Sequence, residues 1–245
     1  MRSLTDFFNQ ALNNPELADA GVPVVSAPEK TSELDISSFD KLSETELESH
    51  LKNEVYGDFT LTDAIRPSYD LKVIPKAGYR HEFYEDQESG AKVPVIMAAA
   101  SREKLFEVFI DMLEPLGNVV DVVLESSHDR SQTPKDEPYR EHIDMPVLKS
   151  VLYDYEDLLM NDGCAGIAIL NPKQPSEIQF DEHKLLIIYG ADLEPFERIL
   201  KSHGLNNDSD LQFITEAEHV HSSSDKFVRQ FHDLQGELGI DSCFA

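Results

Sequence analysis

Two histidines one residue apart, His219 and His221, sit in a run of titratable and hydroxyl side chains from Glu216 to Ser224. On an extended chain, side chains two apart share a face, so both imidazoles project one way and Glu216 and Glu218 the other. Neutral imidazole suits zinc, copper, iron or nickel. Two ligands are too few, so a third must come from elsewhere, and His183 and Glu182 are the candidates, with Asp181 next to them. This pattern points to a metal-binding protein or a metal-dependent hydrolase with a divalent transition metal. A different chemistry uses Ser222, Ser223 and Ser224, whose hydroxyl and backbone N–H groups at a helix start could receive an anion. The plainest alternative is structural: Ser222 caps a helix, with Asp225 three residues on, and the histidines decorate a strand end.

Other constellations carry less. His128, followed by Asp129, is a partial counterpart of the histidine pair. Cys164 lies in an apolar run and reads as a small core residue rather than a nucleophile. Asn206, Asp208 and Asp210 alternate like the start of a calcium loop, but Leu211 replaces the required glycine and Ala217 stands at the bidentate glutamate position. There is no phosphate-cradling glycine loop, dinucleotide fingerprint, nucleophile elbow or zincin motif.

Positioning such groups requires elements, and the pattern supplies them from residue 69 onward. Strands are expected at 71–74, 79–85 and 92–99, a helix at 101–114 with Ser101 as N-cap, and a strand at 118–125. A polar loop over 126–145 precedes a helix at 146–160. The order then recurs: strands at 164–170, 177–181 and 184–189, a helix at 193–203, a strand at 211–218 and a final helix after Ser222. Phe83 and Phe180 are 97 apart, and Glu125 and His128 lie 91 before Glu216 and His219. The expected fold is α/β or α+β in two similar halves, 56–162 and 163–245. Each half would be a mixed sheet of a three-strand meander, a crossover helix and a fourth strand, with helices packed on it.

Residues 1–55 differ. Leu4, Phe7, Phe8 and Leu12 fall at helical spacing, followed by an acidic stretch with few apolar residues. This reads as a flexible arm, its short helix docking on the core or on a partner. Ser43 and Glu46 form a capping-box pattern for one further helix at 43–52.

The 245 residues carry 21 basic and 47 acidic side chains, a net charge of −26. That charge argues against nucleic-acid binding through phosphate contacts and against anionic membrane surfaces. No apolar stretch reaches the ~20 residues of a membrane helix. Two cysteines do not make a disulfide framework, so the expected location is a reducing cytoplasm. Without a complete catalytic set, the first expectation is a two-lobed binding or regulatory protein. It would meet a protein partner, a basic one where the charge of −26 guides contact, through its acidic surface or its arm. The metal reading at His219 and His221 is the alternative.

Overall fold

The computed structural model describes residues 37–85, 92–128 and 139–240. The amphipathic segment at Leu4–Leu12, the turn at 88–90, Asp129 and Cys243 lie outside the described residues. In chain order the elements begin with α1 (Glu44–Leu51), β1 (Val55–Tyr56), β2 (Phe59–Thr60) and β3 (Ile65–Pro67). Then come β4 (Gly78–Glu85), β5 (Lys92–Ala99), α2 (Arg102–Met112), β6 (Val119–Ser126) and β7 (Tyr139–Asp144). The chain continues through α3 (Met145–Asp154), α4 (Glu156–Asn161), β8 (Ala165–Leu170), β9 (Ser176–Phe180) and β10 (Leu186–Gly190). It closes with α5 (Glu194–Ser202), β11 (His219–His221) and α6 (Asp225–Glu237).

Seven strands form one sheet in the order β4-β5-β10-β9-β8-β6-β7, and every neighbouring pair is antiparallel. This corrects the expectation of two mixed sheets. β5 and β6 do run in the same direction, as a helical crossover requires, but they are not neighbours. The β8–β9–β10 meander lies between them, so α2 carries the chain across three intervening strands. The sheet thus draws its middle from the second half of the chain and its flanks from the first, and it does not confirm an internal duplication. The fold is α+β.

Alternation assigns the faces. Ile96, Ala98, Leu186 and Ile188 belong to the large core under the helices, where α2 buries Leu105, Phe106 and Phe109. Their neighbours Met97, Ala99, Leu185 and Ile187 face a smaller cluster on the opposite side, built from Tyr56, Phe59, Ile65, Leu211, Phe213 and Ile214. That second cluster carries the two short ribbons, β1–β2 and β3–β11.

Four elements depart from the sequence pattern. Residues 71–74 are not a strand. Leu71 takes a left-handed backbone (φ 50°), its N–H closes a turn onto the Ser68 carbonyl, and only Val73 of the four is buried. Residues 139–144, expected as loop, form the edge strand β7. Its alternation is hidden because only Ile143 is buried, and charged side chains suit an exposed edge. Asp121 holds it, accepting from the His142 N–H and the Tyr139 hydroxyl, both at 2.8 Å. Residues 211–218 contain a 3-10 turn (Ile214–Glu216) instead of a strand, because Leu211, Phe213 and Ile214 all point into the smaller cluster. The helix expected at 146–160 is two, broken at Tyr155. Ser101 does precede α2, but its hydroxyl accepts from the Thr60 N–H at 3.0 Å rather than capping the helix. The Ser43–Glu46 capping box on α1 forms as expected.

β3 is anchored by Arg66, whose side chain is 5 % exposed. It donates to the carbonyls of Leu51 (2.9 Å), Ile65 (2.8 Å) and Thr62, and faces Glu54 and Asp63. Removing the guanidinium orphans these acceptors in a water-poor site. Arg66→Met is therefore expected to cost about 1–3 kcal/mol, measured as a lower urea midpoint at an unchanged slope.

Candidate metal centre

His183 reaches the site from the hairpin between β9 and β10. Asp181 N–H donates to the Leu185 carbonyl (3.1 Å) and Lys184 N–H to the Asp181 carbonyl (3.1 Å), closing a three-residue loop. Such loops end in a left-handed residue, usually glycine; here it is Lys184, at φ 62°. The buried Lys184 ammonium donates to the Ala165 carbonyl at 2.9 Å, which ties the strained turn to β8. Burial lowers the pKa of Lys184 to about 8, against the opposing pull of Asp181, Asp162 and Glu182.

His219 and His221 reach the site from β11, which pairs with β3 in the register His219↔Pro67 and His221↔Ile65. The period-2 expectation holds, and both rings share one face. With His183 they make a three-ring cluster with centroids 4.8–5.1 Å apart. One ligating atom from each ring lies within 4.8 Å of the others.

Each ring is held by its other nitrogen. His183 Nδ1 is 2.8 Å from Asp181 Oδ2, His219 Nδ1 is 2.8 Å from the Ala217 carbonyl, and His221 Nδ1 is 2.5 Å from the Gly163 carbonyl. Carbonyl and carboxylate oxygens only accept, so these contacts place the proton on Nδ1. A neutral ring then keeps its lone pair on Nε2. Burial, reinforced by the neighbouring His183 and His221, lowers the pKa of His219 below its ordinary 6.5 against the opposing carbonyls of Ala217 and Ile214. In a zinc site with Zn–N near 2.0–2.1 Å the nitrogens are roughly 3.4 Å apart, so small rotations would close the cluster around an ion.

Glu182 does not join the cluster. Its carboxylate accepts from Ser127 Oγ at 2.6 Å. Asp181, adjacent in sequence, instead orients His183 and also accepts from the N–H groups of His183 (3.0 Å) and Leu185 (2.8 Å). Glu216 pairs with Arg80, and Glu218 accepts from the Ser38 N–H. The helix cap is Ser224, and Ser222 works through its backbone. Asp208 accepts from the Asp210 N–H and from Lys76, as a polar surface turn does. A small cleft of about 30 Å³, room for water rather than for a larger molecule, opens beside His183 and Lys184, with Phe59, Leu61, Phe213 and Ile214 on its other walls.

Gly163, which belongs to no sequence motif, positions the site. Its N–H donates to the Ser222 carbonyl at 2.7 Å, and Ser222 N–H donates to the Ala64 carbonyl at 2.8 Å. A Cβ at Gly163 would lie 2.2 Å from the Ala64 oxygen and 2.9 Å from the Ser222 backbone. The sequence signal was the glycine immediately before a buried strand.

The fold and this cluster define an α+β protein with three converging histidines at one end of an antiparallel sheet. In comparisons with known proteins, no family model, no curated protein and no solved structure matched the chain.

Gly163→Ala is expected to cost about 1–3 kcal/mol by overpacking, seen as a lower midpoint in chemical unfolding. A pH dependence also follows in the metal-free protein. His219 binds its proton less readily folded than unfolded, so its contribution is complete above 6.5 and is lost as pH falls from there towards the lower folded value. His219→Gln should flatten the decline in thermal midpoint over that window.

Proposed function

We propose that this protein binds a divalent transition metal, zinc being the best fit, through His183, His219 and His221. One observation carries the reading: the three rings converge with one ligating nitrogen of each within 4.8 Å of the others, while every Nδ1 is engaged by an oxygen, which leaves Nε2 as the free lone pair of each neutral ring. Metal-ligating histidines are commonly held in this way by a carboxylate or a carbonyl on the far nitrogen, which fixes tautomer and ring orientation. The strongly acidic chain favours a cation. Three protein ligands and one open position is the arrangement of catalytic zinc sites, where bound water titrates near pH 7 and becomes a nucleophile. Hydrolysis is therefore the activity to screen, and a reducing cytoplasmic location belongs to the same proposal.

Metal analysis of untagged protein loaded with zinc tests this. One equivalent per chain should disappear in His183→Ala and in His219→Ala/His221→Ala; retention of that equivalent in both variants overturns the reading. Asp181→Asn keeps the turn-forming oxygen but removes the carboxylate behind His183. It should weaken zinc affinity by about 10–100-fold in a competition titration against a chromogenic chelator.

A further inference from the structure

A second group of metal-type ligands lies on the other side of Gly163. His128 follows β6, Asp162 follows α4 and Cys164 precedes β8. One ligating atom from each lies within 4.8 Å of the others. The Asp162 side chain is fully buried and that of His128 is 11 % exposed. Asp162 Oδ1 accepts from the Cys164 N–H at 3.3 Å, so the turn itself uses that oxygen and presents Oδ2 inward.

The inward atoms have only each other. His128 Nε2 and Asp162 Oδ2 are 2.7 Å apart, an ion-pair contact without the alignment of a hydrogen bond, and neither has another hydrogen-bond partner. A buried carboxylate oxygen and ring nitrogen paired in this way keep part of their desolvation cost. His128 Nδ1 lies 2.7 Å from Ser126 Oγ, which fixes one edge of the ring, and the Phe231 ring packs against it at 5.6 Å. A cation between Nε2 and Oδ2 satisfies both atoms at once. Cys164 is a free thiol. Asp162, Asp181 and Glu182 surround the single ammonium of Lys184, so the local balance is negative.

We propose that His128, Asp162 and Cys164 form a second divalent-metal site, distinct from the three-histidine centre. Binding deprotonates the thiol: the S–H proton leaves to solvent and the thiolate, the imidazole and the carboxylate donate to the ion. The mixed sulfur, nitrogen and oxygen set suits zinc and its spectroscopic substitute cobalt(II). This site does not depend on the three-histidine reading, because its ligands and its sulfur signature are its own.

The test uses the full chain, reduced, with Cys243→Ser as background so that Cys164 is the sole thiol. Cobalt(II) should give a thiolate-to-cobalt charge-transfer band in the near ultraviolet. The band should vanish in Cys164→Ser and persist in His219→Ala/His221→Ala, since a three-histidine site contains no sulfur. His128→Gln, checked as folded by circular dichroism, should weaken the cobalt affinity read from this band by at least about tenfold. A missing band in the background protein overturns the proposal, and so does a folded His128→Gln that titrates like it. A band that behaves as expected in a protein holding only one cobalt supports this site while removing the three-histidine one.

Discussion

The close approach at Gly163 is the constraint on which the rest of the molecule's functional end depends. Its N–H, its carbonyl and its missing side chain are all used within one small volume. The N–H holds Ser222, the carbonyl holds the His221 ring, and the absent Cβ lets Ala64 and Ser222 come within reach. Through Ala64 and β3, the same contact depends on Arg66 and on α1 behind it. A segment that begins as the end of α4 therefore sets the orientation of a ligand on β11, 58 residues later.

The two ligand groups flank this glycine but differ in character. Around His183, His219 and His221 each Nδ1 has an oxygen acceptor, so the neutral rings are held in a single tautomer. Around His128, Asp162 and Cys164 the two inward atoms have only each other, at 2.7 Å and without the alignment of a hydrogen bond. The first proposed centre is thus pre-organised, and the second proposed one would gain partners from an ion. The turn at Lys184 joins them, since its neighbour His183 belongs to the first group while its own ammonium lies in the field of Asp162 and Cys164.

Much of this was legible in the residues. The Ser43–Glu46 capping box, the central strands and the shared face of His219 and His221 follow from local pattern, which acts over a few residues. Of the candidates named beside the histidine pair, the fold brings His183 to the two rings, while Glu182 turns to Ser127, because a one-residue shift in a tight hairpin reverses side-chain direction. The order of strands was not legible. Alternation reports which face a residue occupies, and β5 and β6 would show the same pattern whether adjacent or separated by three strands. β7 was hidden because an edge strand needs few apolar residues, and 211–218 misled because its apolar residues pack from an irregular backbone. His128 and Cys164 were set aside individually, and only the fold brings them to Asp162.

The inserted meander has a consequence for how the chain reaches this state. β5 and β6 leave the ribosome first, yet the strands that join them come later, and the final ribbon needs β11 to return to β3 across more than 150 residues of sequence. During synthesis the early strands therefore wait with open edges until β8–β10 arrive. Folding dominated by such distant pairings is slow, and exposed edges at that stage are prone to pairing with other chains. The charged edge strand β7 and the heavy negative charge of the chain then serve a second purpose, keeping nascent copies apart while the middle of the sheet is still missing.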